Sequence, residues 1–172
     1  MLLEKKQTKE FRIIDGHCDS ILDVMKGKRT LAEASENAQA DIPKLIKGGV
    51  GIQFFAIFIE SEYKPDRALP RALEGIDFFY RELEANRRIM DLVDTRNKLD
   101  EVWKTKGKLG AVLAIEGGEA LGGHLSMVNI FYRLGVRSLG LTWNQRNEIA
   151  DGVGVGKRHR GLTEFGRKVI EK

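Results

Sequence analysis

The sequence predicts an α/β fold built on a parallel sheet, and three observations carry that expectation. Four apolar runs have strand length: "FRIID" at 11–15, "VGIQFFAIFI" at 50–59, "LGAVLAI" at 109–115 and "VRSLGLTW" at 136–143. None alternates as a half-exposed strand would, so they read as strands buried on both faces. The segments between them are long enough for crossover helices, and strand-helix alternation of this kind calls for parallel strands with right-handed crossovers. Lastly, ligand-type side chains stand at the carboxyl ends of two of the runs, where open α/β sheets and barrels keep their sites.

The elements follow in order. After the first strand, "DIPKLIKGG" (41–49) places Pro43 where a first helical turn tolerates it and ends in Gly48 and Gly49, which stop the helix before the second strand. The segment 66–106 carries "ALEGIDFFYRELEANRRIMDLV", with apolar residues at helical spacing, then "DTRNKLDEVWKTKGK", where Asp94 or Thr95 caps a further helix. "LSMVNIFYRLG" repeats the helix-then-glycine pattern after the third strand, and "LTEFGRKVIEK" opens on Thr163 as N-cap with Glu164 in the first turn.

Composition narrows the class. The chain has 172 residues, 42% hydrophobic and 31% charged, which is ordinary for a globular protein. That length holds one domain or part of a larger one, since barrels run to about 250 residues. No apolar run approaches the roughly 18 residues that span a bilayer. The opening "MLLEKKQTKE" is too polar for a secretory signal, so the expected location is cytoplasmic with no membrane partner. The net charge of +4 comes from interleaved acids and bases, which argues against a nucleic-acid surface; the densest basic stretch, "GKRHRG" at 156–161, reads as a solvated loop. The single Cys18 forms no internal disulfide and, lying between residues that face the other way, reads as a small buried hydrophobe.

The strand ends hold the chemistry. In "IIDGHCDSIL", residues two apart share a face, so His17 and Asp19 point one way, with Asp15 and Ile13 deeper on the same face. The third strand runs apolar to Glu116 and then gives Gly117 and Gly118, which free the backbone to turn beside the carboxylate. A His, an Asp and a Glu gathered there suit a divalent metal, with zinc, manganese or iron favoured by the mixed nitrogen and oxygen donors. Each residue alone reads equally well as a satisfied core histidine or a loop carboxylate; the convergence of two strand ends favours the metal. Asn144 and Asn147 lie just past the fourth strand, while His124 and His159 read as capping or surface histidines.

"DGHCDSILD", "DIPKLIKGGVGIQFF", "AIEGGEALGG", "FYRLGVRSLGLTWNQRNEIADG" and "GLTEFGRKVIEK" together resemble the membrane dipeptidase (renal dipeptidase) family, especially its bacterial branch, from Phe11 onward. The resemblance implies the N-terminal half, about four βα units, of a TIM-type barrel of the metal-dependent hydrolase kind. It implies two zinc ions in the complete site, with a bridging hydroxide attacking a dipeptide carbonyl. By motif, His17 and Asp19 look like ligands of one metal and Glu116 like the catalytic carboxylate bridging both, while Asp15 reads equally as orienting His17 from behind or as a buried structural carboxylate. Trp143 stands where mammalian-pattern members have a substrate-contacting histidine, and Asn144 is a pocket candidate beside it. On this reading 1–10 is an N-terminal extension and 11–172 is half of one barrel domain lacking strands five to eight. The missing half carries two further metal-binding histidines and the family's substrate-binding arginine and aspartate. The expected partners are therefore a dipeptide and either a chain bearing the C-terminal barrel half or a second copy of this one. A non-catalytic half-barrel acting as a binding module is the alternative.

Overall fold

A computed structural model describes residues 12–157 and 159–172. The expected N-terminal extension at 1–10, and Phe11 at the start of the expected first strand, lie outside the described residues. Among the described residues, five parallel strands form one sheet: β1 (Ile13–Cys18), β2 (Val50–Phe58), β3 (Met90–Leu92), β4 (Leu109–Glu116) and β5 (Val136–Leu139). The described residues also form six α-helices: α1 (Ser20–Met25), α2 (Ile42–Lys47), α3 (Ala68–Ala85), α4 (Arg96–Lys104), α5 (Ser126–Arg133) and α6 (Glu164–Glu171). The expected α/β class with a parallel sheet is what the chain adopts.

The strand order departs from a simple succession. β2 lies between β1 and β4, and the far edge of β4 is shared, β3 pairing with its first half and β5 with its second. Sequence periodicity hides β3, because the helical spacing over 72–93 runs straight through it. In the fold α3 ends at Ala85, Asn86 caps it, and the buried Met90 pairs with Leu109 instead. A strand of three residues is too short to impose a period of its own. β1 begins later than expected and runs through His17, and β5 stops at Leu139, after which the Gly140 N–H bonds the Ile115 carbonyl and the chain turns away.

Local chemistry explains the helices. Asp41 accepts the Lys44 N–H and has Pro43 behind it in the first turn of α2. Thr95 accepts the Lys98 N–H at the start of α4, and Thr163 the Gly166 N–H at the start of α6. Each cap satisfies an N–H that the helix itself leaves without a partner.

Period-2 alternation sorts the sheet side chains onto two faces. Phe55, Ile57 and Ile59 of the β2 segment, with Leu109, Ala111, Leu113 and Ile115 of β4, pack beneath Ile21 and Val24 of α1 and Ala72, Ile76 and Phe79 of α3. On the other face, Ile52 and Val112 meet Val93 and Val102 under α4. Gly110 is required there: a Cβ on it would lie 2.4 Å from Ile52 and 2.8 Å from Val93. Burial on both faces holds for β2 and β4 but not for β1, an edge strand whose Ile13 and Ile14 are 47% and 57% exposed. No helix among the described residues is long and apolar enough to cross a membrane. The described residues of the basic stretch 156–161 are exposed and in loop, as expected.

Candidate metal centre

The parallel arrangement carries the carboxyl ends of β1 and β4 to one rim. His17 is the penultimate residue of β1, Asp19 is the N-cap of α1, and Glu116 closes β4. His17 Nε2 lies 3.5 Å from Asp19 Oδ2 and 3.3 Å from Glu116 Oε2. One ligand atom from each residue falls within 4.8 Å of the other two. The sequence placed these side chains together, and the fold brings them together.

The electrostatics favour a cation. Burial raises the Glu116 carboxyl above the usual carboxylate range, and the neighbouring Asp19 charge adds to the rise, while His17 and Lys64 pull the other way. Two carboxylates converging on one imidazole repel each other unless a positive charge sits between them, and one nitrogen with oxygen donors is a set that transition metals accept. The residues present therefore fit a divalent ion.

Asp15 takes a different route to His17 than a ligand-orienting carboxylate usually does. Its Oδ1 accepts the main-chain N–H of His17 at 3.1 Å, so it braces the strand end rather than the ring. Cys18 points away from the donors into the helix-covered cluster, and burial raises its thiol pKa. His124 lies in the turn before α5, its N–H bonded to the Leu121 carbonyl, and His159 in an exposed loop; neither belongs to the cluster.

The loops after β2, β4 and β5 build a wall beside these donors. Phe58, the register partner of Glu116, meets the Trp143 ring edge-on with centroids 4.9 Å apart. Lys64 Nζ sits 5.0 Å from the Phe58 ring centre and 5.3 Å from that of Trp143, close enough for cation-π attraction to both. The same ammonium forms a buried ion pair with Glu119 Oε1 at 2.5 Å, and Asn147 Nδ2 donates to Glu119 Oε2 at 2.9 Å. Gly117 permits the arrangement: its φ is +102°, and a Cβ there would lie 2.5 Å from Glu119 Oε1. Asn144 is exposed, and its carbonyl accepts the Gly154 N–H. Sequence reasoning found Trp143 and Asn147 but passed over Lys64 and Glu119, because nothing local in "SEYKPD" or "EGGEAL" announces that the two meet across loops.

The sequence profile described as membrane dipeptidase (peptidase family M19) matches residues 4–172. Dipeptidase 3 of Homo sapiens is 30% identical over 175 residues, a match covering 95% of this chain and 35% of that protein. Dipeptidase 3 of Mus musculus is also 30% identical, over 174 residues, with 95% and 34% covered. Among solved structures, the dipeptidase AC, a metallopeptidase, superposes with a TM-score of 0.84 at 24% identity, covering 95% of this chain and 53% of that one. A metallopeptidase from Rhodobacter sphaeroides, liganded with a phosphinate mimic of the dipeptide L-Ala-D-Ala, superposes with a TM-score of 0.84 at 24% identity, covering 93% and 55%. The chain thus spans about a third of the length of these curated relatives and about half of these structures.

Proposed function

The chain belongs to the membrane dipeptidase family, and on that footing we propose that it contributes the first metal-binding half of a zinc-dependent dipeptidase site. The family's members are metallo-dipeptidases, and the observation that carries the reading is the convergence of His17 Nε2, Asp19 Oδ2 and Glu116 Oε2 at the carboxyl rim of the sheet. His17 and Asp19 would hold one ion. Glu116, with two carboxylate oxygens on a partly buried strand end, is the residue suited to bridge to a second. Zinc suits the donor types, and when bound it polarises the scissile carbonyl and acidifies a water for attack.

The remaining roles fall to the chain's own side chains. Asp15 fixes the His17 main chain and, through it, the direction of the imidazole. The Phe58 and Trp143 rings form an apolar wall beside Glu116, and Lys64 ties that wall to Glu119. Trp143 and the exposed Asn144 are the residues positioned to meet the dipeptide.

Completion of the barrel is part of the proposal. Among the described residues β1 pairs on one side alone, and its exposed Ile13 and Ile14 make that an apolar edge suited to further parallel strands. A chain carrying the C-terminal barrel half, or a second copy of this chain, is the partner that covers it. The test is hydrolysis of a dipeptide panel by the zinc-loaded chain, alone and mixed with the C-terminal half, with His17→Ala and Glu116→Gln as controls. Activity that requires zinc and both residues supports the reading. A mixture that binds no zinc and hydrolyses nothing would make the chain a non-catalytic binding module.

A further inference from the structure

Next to the aromatic wall lies a cavity of about 490 Å³, lined by Ser61, Lys64 and Pro65 after β2, Glu119 after β4, and Gln145 to Glu148 after β5. Its volume is in the range of small-ligand sites. Gln145 Nε2 donates to Ser61 Oγ at 2.7 Å and ties the two rims together. Lys64 and Glu119 belong both to this cavity and to the wall beside the metal donors, so the two spaces are neighbours.

The charges lining the cavity are four, and pairing leaves one over. Lys64 is spent on Glu119, whose oxygens face Lys64 and Asn147. Arg146 is engaged by Asp151. Glu148 has no ion-pair or side-chain hydrogen-bond partner among the described residues, and its Oε2 is sealed from solvent without a donor. Its backbone is occupied, the carbonyl accepting the Thr163 hydroxyl, so the segment is held in place while the carboxylate is not compensated. With Lys64 and Arg146 each facing a carboxylate of its own, the Glu148 carboxylate is the lining charge left to meet a cationic ligand group arriving in the cavity.

We infer that this cavity is a subsite for a cationic group of the substrate, an ammonium or guanidinium, and that Glu148 is the residue selecting it. The inference rests on the dipeptidase reading only for the class of molecule. Two sources supply such a group, the amino terminus of a dipeptide and a basic side chain, and the test separates them.

Binding is measured by calorimetry on the full chain in the presence of chelator, so that no metal contributes. Ala-Lys against Ala-norleucine reports a side-chain ammonium, and Ala-norleucine against its N-acetyl form reports the terminal one. The expected result is about tenfold tighter binding of the cationic member in one comparison, the size of a charge-assisted hydrogen bond. Glu148→Gln should erase that preference and Glu148→Asp, which keeps the charge, should retain it, with circular dichroism showing both variants folded. Equal binding in both comparisons, a preference untouched by Glu148→Gln, or loss in both variants would overturn the assignment. Zinc-supported hydrolysis of Ala-norleucine by the completed barrel is measured separately. Its failure with the Glu148 preference intact would sink the dipeptidase reading and leave the subsite standing.

Discussion

The two faces of the sheet are built from the same kinds of residue and used differently. Beneath α1 and α3, side chains such as Phe55, Leu113 and Phe79 are sealed to 1% exposure or less, in a cluster joining every helix but α4. Beneath α4 the cluster is four residues, Ile52, Val93, Val102 and Val112, with Phe54 and Leu99 only partly covered. A cavity of about 350 Å³ lined by Ile14, Phe54, Arg137 and others opens beside it. The lesson is a division of labour. The face under α1 and α3 is sealed, while the face under α4 is only partly covered among the described residues. The candidate metal donors His17, Asp19 and Glu116 stand at the carboxyl rim of that sheet.

The sharpest way to break this comparison is within β2 itself. Phe55→Ala empties a sealed site and should cost about 3–5 kcal/mol, whereas Phe54→Ala, one residue along on the open face, should cost no more than about half as much. Chemical denaturation midpoints of the two variants give the answer, and equal losses would show that the faces are energetically alike.

A second test addresses what ties the finished face to the rim. Glu60, two residues past β2, receives two hydrogen bonds from Arg71 of α3, at 2.8 and 3.0 Å, and both residues are about 8% exposed. Arg71→Leu leaves Glu60 buried with only the more distant Lys26, 3.5 Å away, and should cost about 3 kcal/mol in the same denaturation measurement.

Acid sharpens the picture further. Burial alone would raise the carboxyls of Asp41 and Glu60, but it is outweighed, in Asp41 by the N–H groups of Lys44 and Ser35 and in Glu60 by Arg71, so both are held below the usual carboxylate range. Groups depressed in the folded state contribute stability that is complete above about pH 4, the unfolded value, and is lost as pH falls through the lowered folded values. Thermal melts stepped from pH 6 downward should show that loss. In Asp41→Ala, which also costs about 1 kcal/mol at neutral pH through the lost cap, the acid slope should be shallower.

The smallest effect belongs to the open side. Ile14→Lys on the exposed β1 edge should change the stability of the isolated chain by less than about 0.5 kcal/mol. It should also slow aggregation in light scattering, because a charged edge strand resists pairing.

Much of this was legible in the sequence, for identifiable reasons. β2 and β4 stand out because they are buried on both sides, and α2 and α6 because Asp41, Pro43 and Thr163 are start signals that act locally. That His17, Asp19 and Glu116 converge was readable because parallel strands carry their carboxyl ends, and the residues just past them, to one rim. β3 was not, since "MDL" pairs only through tertiary contact and sits inside a helical pattern. The meeting of Lys64 with Glu119, and the isolation of Glu148 beside them, depend on where three loops converge, which no spacing rule encodes.

The most direct test of the central claim is zinc titration of the metal-free chain, followed by calorimetry and by the shift in melting temperature. The account predicts a saturable site that raises the melting temperature. Its affinity should fall as pH drops, since protons compete for the raised Glu116 carboxyl, and binding should be lost in His17→Ala and in Glu116→Gln. Zinc binding unchanged by either substitution, or no binding at all, would contradict it.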